Sequence, residues 1–147
     1  VSGSAFWRQR EKQPVGESVA LGKVLEQIPW NADGLIPAIA QQYDSGEVLM
    51  LAWMNREALE ETLEKSRVCY WSRSRQQLWR KGESSGQVQV LKEARLDCDG
   101  DALLLLVDQT GPACHTGRRG CFYNLIEGDR LVVDQPVLID PATLYGK

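Results

Sequence analysis

Hydrophobic and polar positions change period along this chain, and the changes divide it into segments. Residues 1–16 are polar and charged without a period, and 19–28 carry enough apolar positions for a short helix stopped by Pro29. Residues 1–30 are therefore expected to be an N-terminal arm, either mobile or a short helix, with 31–147 as the folded domain. From Leu35 the pattern turns strand-like: I-P-A-I-A-Q-Q-Y, a polar turn at Asp44-Ser45-Gly46, then V-L-M-L-A-W-M, which predicts a hairpin. Asn55 stands as a helix cap before R-E-A-L-E-E-T-L-E-K. That helix has acids toward its start, Lys65 and Arg67 toward its end, and Ala58, Leu59 and Leu63 as its apolar face.

V-C-Y-W-S predicts a strand, and S-R-S-R-Q-Q-L-W-R-K-G-E-S-S-G a loop-rich connection. Alternation returns in Q-V-Q-V-L-K-E-A-R-L, predicting a strand that turns Val88, Val90, Ala94 and Leu96 inward. The continuous apolar run 103–107 predicts a buried strand, and the glycines and Pro112 of 110–120 a loop. C-F-Y-N-L-I, R-L-V-V and P-V-L-I supply the last strand candidates, with a turn at Glu127-Gly128-Asp129. The expected fold is α+β, mostly β: a single compact domain of mixed or antiparallel strands with one or two short helices.

Composition changes this picture little. A chain of 147 residues, 43% hydrophobic and 25% charged, is long enough for one domain with a real core. No apolar run approaches a membrane span and no basic-then-apolar leader opens the chain, so a cytoplasmic location without membrane contact is expected. A net charge of -3 argues against a general nucleic-acid binder. In a reducing compartment Cys69, Cys98, Cys114 and Cys121 read as metal ligands or free thiols rather than disulfides.

The candidate chemistry starts at Asp97-Cys98-Asp99-Gly100-Asp101. Three carboxylates within five residues repel one another, which a bound cation relieves; the bland alternative is a solvated acidic turn. If the stretch is extended, alternation turns Asp97, Asp99 and Asp101 to one face and Cys98 to the other, offering hard oxygens and a soft thiolate to two different metals. It is not an EF-hand, because Ala102 occupies the required glycine position. Cys98, Cys114 and Cys121 are not paired as in a zinc ribbon. They are either unrelated thiols or three zinc ligands that leave a position open for water. Cys69, within an apolar strand, is a fourth ligand or, more simply, a buried structural cysteine. His115 follows Cys114 directly and is a proton carrier, a fourth zinc ligand or a surface residue. The zinc deaminase signature is absent, since neither H-x-E nor P-C-x-x-C occurs. Residues 67–81 carry Arg67, Arg73, Arg75, Arg80 and Lys81 among Tyr70, Trp71 and Trp79 and contain no acid. That composition suits nucleotide handling, a single-stranded nucleic-acid platform, or a solvated basic edge. G-E-S-S-G after it is a phosphate-wrapping loop or an ordinary turn.

These residues resemble the phosphoribosyl-AMP cyclohydrolases of histidine biosynthesis. The matching pieces are G-L-I-P-A-I-A-Q, G-E-V-L-M-L-A-W-M-N, Y-W-S-R-S-R, L-W-R-K-G-E-S-S-G, L-D-C-D-G-D-A-L-L-L and A-C-H-T-G-R-R-G-C-F-Y, within 34–124. The resemblance implies hydrolytic opening of the purine ring of 1-(5-phosphoribosyl)-AMP: water adds at ring carbon 6 and its bond to ring nitrogen 1 breaks. It implies Zn2+ on Cys98, Cys114 and Cys121, one per subunit and shared across an intertwined homodimer. It further implies Mg2+ on Asp97, Asp99 and Asp101, and His115 as the catalytic proton carrier. Trp71, Arg73, Arg75, Lys81 and Glu83 become candidates for holding the substrate, with no nucleic acid as partner. Many relatives carry a fused phosphoribosyl-ATP pyrophosphohydrolase domain, for which this chain is expected to be too short. Two positions depart from the family pattern: Gly120 where serine is expected and Gln87 where asparagine or histidine is common. The rival from another class is a non-catalytic, zinc-stabilised nucleic-acid-binding module that uses 67–81 as its platform.

Overall fold

The computed structural model describes residues 2–145, and its elements follow the local chemistry of the chain. Strands β1 (Ile36–Gln42) and β2 (Val48–Met54) form the predicted hairpin, with a bulge between Ala40 and Gln41. Helix α3 (Arg56–Lys65) begins where Asn55 Oδ1 accepts the Ala58 N–H at 2.8 Å, and it ends on left-handed Ser66. Strands β3 (Cys69–Ser72) and β4 (Gln77–Arg80) pair as a second hairpin. Strands β5 (Gln89–Leu96) and β6 (Leu103–Gln109) complete a four-stranded sheet in the order β2-β1-β6-β5. In that sheet β1 and β6 run parallel while the outer pairs are antiparallel, so the sheet is mixed.

One face of the sheet makes the core. Ile36, Ala38 and Ala40 of β1 and Leu103, Leu105 and Val107 of β6 alternate in and out with the period of a strand. They pack with Leu59 of α3 and Tyr70 of β3. Burying apolar area of this kind is the main term favouring the fold. The molecule is thus one compact, mainly β domain with a few short helices, as expected in outline.

Several local expectations are corrected. Residues 77–80 form β4 rather than a loop, because pairing with β3 satisfies their backbone groups. On β5 the polar Gln89 is the fully buried residue, whereas Val88 and Val90 are half-buried, and Ala94 beyond a bulge is exposed. Strands β7 (Asn124–Glu127) and β8 (Arg130–Val133) form the expected hairpin, but P-V-L-I beyond it is not a strand. Helices number four among the described residues, rather than one or two. Two lie in the N-terminal segment: α1 (Ser2–Arg10) and α2 (Leu21–Gln27), and both contribute to the core through Trp7 and Leu25. The other is α4 (Pro141–Tyr145), where Asp140 Oδ1 accepts the Ala142 N–H at 2.9 Å. No helix among the described residues is long and apolar enough to cross a membrane.

Candidate active site

The loop between β6 and β7 carries two of the three metal-candidate cysteines. Its backbone folds back on itself, with the Ala113 N–H donating to Arg119 O at 2.9 Å and the Cys114 N–H to Arg118 O at 3.2 Å. The Cys121 N–H reaches Leu49 O on β2 at 2.7 Å, which docks the far end of the loop on the sheet. This closure brings the Cys114 and Cys121 thiols close enough to act on each other's ionisation, and the Thr116 hydroxyl donates to Cys114 Sγ at 3.1 Å. Burial first, and then the neighbouring Cys114, push the Cys121 thiol up to about 12. Lys81 Nζ lies beside the pair, buried, and donates to Ala113 O at 2.7 Å. Burial presses its pKa down, while the charges of Cys121 and Cys114 act in the other direction. A buried ammonium next to two thiols favours their ionised form, which is the metal-binding form. Gly120, one departure from the family pattern, lies close against β2. A Cβ there would come within 3.3 Å of Val48 O and 3.4 Å of Leu49 O, so a side chain would press on the β2 backbone.

The acidic stretch is a turn, not an extended strand, so the alternation argument for its two faces does not hold. Gly100 takes a φ of 73°, its N–H donates to Asp97 O at 3.1 Å, and the Asp101 N–H donates to Asp97 Oδ1 at 3.0 Å. Turn closure, rather than strand pleating, draws the three carboxylates together, with one oxygen of each within 4.8 Å of the others. Burial, followed by the hydrogen bond and charge of Asp97 and the charge of Asp99, holds the Asp101 carboxyl above its usual range. Cys98 does not face away from the carboxylates: its thiol is 3.7 Å from Asp99 Oδ1, and that charge pushes its pKa up. It is exposed and borders a hollow with Phe6, Trp7 and Arg10. Among the described residues, the aspartates are the one group of three or more metal-capable side chains, so Cys98 does not meet Cys114 and Cys121 within a single chain.

A cleft of about 460 Å³ opens beside the cysteine loop. It gathers His115, Lys81, Glu83 and Arg75 from the candidates, and the G-E-S-S-G turn lines one side through Gly82, Ser84 and Ser85. Trp71 and Arg73 lie elsewhere, in a shallow depression with Trp53, where the Arg73 guanidinium stands 4.8 Å from the Trp53 ring centroid. Arg80, named with the basic segment, and Tyr145, which was not read from sequence, also line the cleft. Arg80 pairs its guanidinium with both oxygens of Glu61, at 2.8 and 2.9 Å. Tyr145 reaches the cleft from α4, whose Asp-Pro start is a recognisable cap followed by a first-turn proline.

Under the loop runs a buried chain of amides that sequence reading also missed. The Tyr70 hydroxyl donates to Gln89 Oε1 at 2.7 Å, and Gln89 Nε2 donates to Gln109 Oε1 at 2.8 Å. Gln109 Nε2 in turn meets Thr110 O at 2.8 Å and Gln87 O at 3.1 Å. Arg119 braces the same loop, donating to Gln109 O at 2.9 Å and Gln42 Oε1 at 3.0 Å. Polar residues on apolar strands were the available signal, but nothing in the sequence pairs them. Gln109→Met keeps the volume and strips these partners, leaving buried amide and carbonyl groups unpaired. It should cost about 2 kcal/mol of folding stability, read as a lower midpoint in urea unfolding.

The family model for phosphoribosyl-AMP cyclohydrolase matches residues 50–123, a region containing the cysteine loop, the acidic turn and most of the cleft. A phosphoribosyl-AMP cyclohydrolase of Alkalilimnicola ehrlichii is 69% identical over 142 residues, covering 97% of this chain and 100% of its own. That of Halorhodospira halophila is 67% identical over 138 residues, covering 94% and 97%. That of Hydrogenovibrio crunogenus is 60% identical over 147 residues, covering 100% of both chains. Identity at this level, from the N-terminal helices through the cleft, means that the chain belongs to the phosphoribosyl-AMP cyclohydrolase family of enzymes.

Proposed function

We propose that this enzyme hydrolyses the purine ring of 1-(5-phosphoribosyl)-AMP in histidine biosynthesis, in the cytoplasm, as a homodimer that holds one Zn2+ per subunit and Mg2+. The observation that carries the reading is the pairing of the Cys114 and Cys121 thiols by the loop, with His115, directly after Cys114, on the rim of a cleft. The donor sets fit the two metals. Three clustered carboxylate oxygens suit a hard divalent cation, and paired thiols beside a buried ammonium suit zinc. When bound, zinc makes a water acidic enough to supply hydroxide near neutrality, and magnesium offsets substrate phosphate charge.

The chain's own residues do the rest. Arg75 and the Ser84–Ser85 side of the cleft hold the substrate's anionic groups. The His115 imidazole takes a proton from the water that adds at ring carbon 6 and delivers it to ring nitrogen 1 as that bond breaks. The carbon 6 amino group stays in place, so the product is an imidazole carboxamide with a formamidine-linked phosphoribosyl arm. Trp71 and Arg73 stand outside this cleft and serve the substrate only if it extends beyond it. Lys81 acts on the thiols rather than on a phosphate, since its ammonium is buried against Ala113.

Two thiols from one chain make half a zinc site, and the exposed Cys98 is the natural third ligand from a second subunit. An exposed apolar surface supports that assembly. Ile126 of the isolated β7–β8 hairpin pairs across the strands with Leu131, Val133 lies on the same face, and all three are exposed. A two-stranded hairpin is not stable alone, and contiguous apolar surface of this kind marks an interface. The nucleic-acid rival requires residues 67–81 to present a continuous stripe of cations and aromatics. Instead Arg80 is committed to Glu61, Lys81 is buried, and Arg73 lies on Trp53.

The deciding experiment measures metal content and turnover of phosphoribosyl-AMP, by its change in ultraviolet absorbance, on one purified sample. Stoichiometric zinc, turnover, and loss of both on chelation are expected. Salt-sensitive oligonucleotide binding without turnover would establish the rival.

A further inference from the structure

The N-terminal segment is built onto the back of the acidic turn. Trp7 of α1 is 7% exposed, and its Nε1 donates to Gln27 O at the end of α2 at 2.8 Å. Phe6 meets its ring edge-on, with centroids 4.9 Å apart. The indole lies against Gly100, and a Cβ on that residue would collide with the ring. Gly100 is buried under this cover while Asp97, Asp99 and Asp101 on either side are exposed. The turn therefore has a closed apolar back and an open front carrying three carboxylates. Like charges at this spacing favour opening of the turn whenever no cation is bound. Three backbone-donated hydrogen bonds, including the Asp97 N–H to Ala102 O at 3.1 Å, oppose that opening from within, and the indole opposes it from outside.

We propose that the N-terminal segment is a clamp on the acidic turn, with Trp7 as a positioning residue that keeps the three carboxylates in their cation-binding arrangement. The clamp raises divalent-cation affinity because the ordering of the turn is already complete before the ion arrives. It rests on the reading of Asp97, Asp99 and Asp101 as the magnesium site. Trp7 does not line the cleft that holds His115, so it acts through the turn.

The test uses the full chain as wild type, Trp7→Ala and Trp7→Phe, with Mg2+ binding followed by calorimetry and, separately, turnover followed against Mg2+ concentration. Trp7→Ala should weaken Mg2+ binding about tenfold, the lower end of what outer supporting residues contribute at metal sites. Its turnover should recover to near the wild-type maximum at saturating Mg2+. Trp7→Phe restores a ring over Gly100 but lacks the tie to Gln27, and it should weaken binding by about threefold at most. A merely structural role would lower the folded fraction without moving the half-saturating Mg2+ concentration. If Trp7→Ala does not fold, Trp7→Phe carries the test, with a measurable weakening expected. An unchanged Mg2+ dissociation constant in the folded variant overturns the clamp alone. Absence of Mg2+ binding in the wild type overturns both the clamp and the magnesium reading on which it rests.

Discussion

Cys98→Ser is expected to yield a folded chain that holds no zinc and turns over at about one thousandth of the wild-type rate or less, several kcal/mol being what a bound Lewis acid supplies. Folding should survive because the side chain is exposed on a turn whose shape depends on Gly100 and the Asp97 hydrogen bonds. Zinc should not, because on the proposed reading the variant keeps only two of three thiolate ligands. Metal analysis after gel filtration, together with initial rates, checks both; wild-type zinc and rate would remove Cys98 from the centre. The same variant locates the site between chains. Cys114→Ser should be equally inactive, yet a heterodimer of the two variants has one intact site and one that lacks two ligands. Random reassociation of equal amounts makes half the dimers mixed, so about a quarter of wild-type activity should return. No recovery despite demonstrated subunit exchange would place each site within one chain.

How much of this was legible in the sequence depended on the range of the interaction concerned. The β1–β2 hairpin, the Asn55 cap and the buried β6 strand rest on local period and local caps, and they were read correctly. The parity of β5 was not, because Gln89 is turned inward by Tyr70, Met50 and Gln109, partners from three other strands. A polar side chain satisfied by distant groups looks the same in sequence as one facing water. α1 was missed for a related reason. A single buried tryptophan anchors it, and one residue generates no period. α4 was legible and overlooked, since Asp-Pro is a local signal.

The site divides along the same line. The acidic cluster was found by composition, but its convergence was attributed to strand alternation, whereas turn closure around Gly100 produces it. The correction matters for function. A turn needs external support to hold three carboxylates together, and a strand locked in a sheet would not. Lys81 shows the converse: its charge suggested a phosphate ligand, and only its burial against Ala113 reveals a partner for the thiols.

His115 separates chemistry from metal binding, and His115→Ala should do so experimentally. The imidazole is exposed on the rim of the cleft and follows Cys114 in the chain. The variant should keep its zinc and its thermal midpoint, because neither the loop's backbone bonds nor the amide chain beneath it involves this side chain. Its kcat should fall by a factor on the order of 10² to 10⁴, the usual contribution of a positioned acid–base group. KM should change little, because the loss falls on a proton transfer and not on ground-state binding. Added imidazole should restore part of the rate if the lost function is proton transfer, whereas a lost structural contact would not be repaired this way. Loss of zinc in His115→Ala would instead make the histidine a ligand, closing the position that hydrolysis needs open to water. Unchanged kinetics would take it out of the mechanism, and the proton would then have to travel through Glu83, the remaining carboxylate in the cleft.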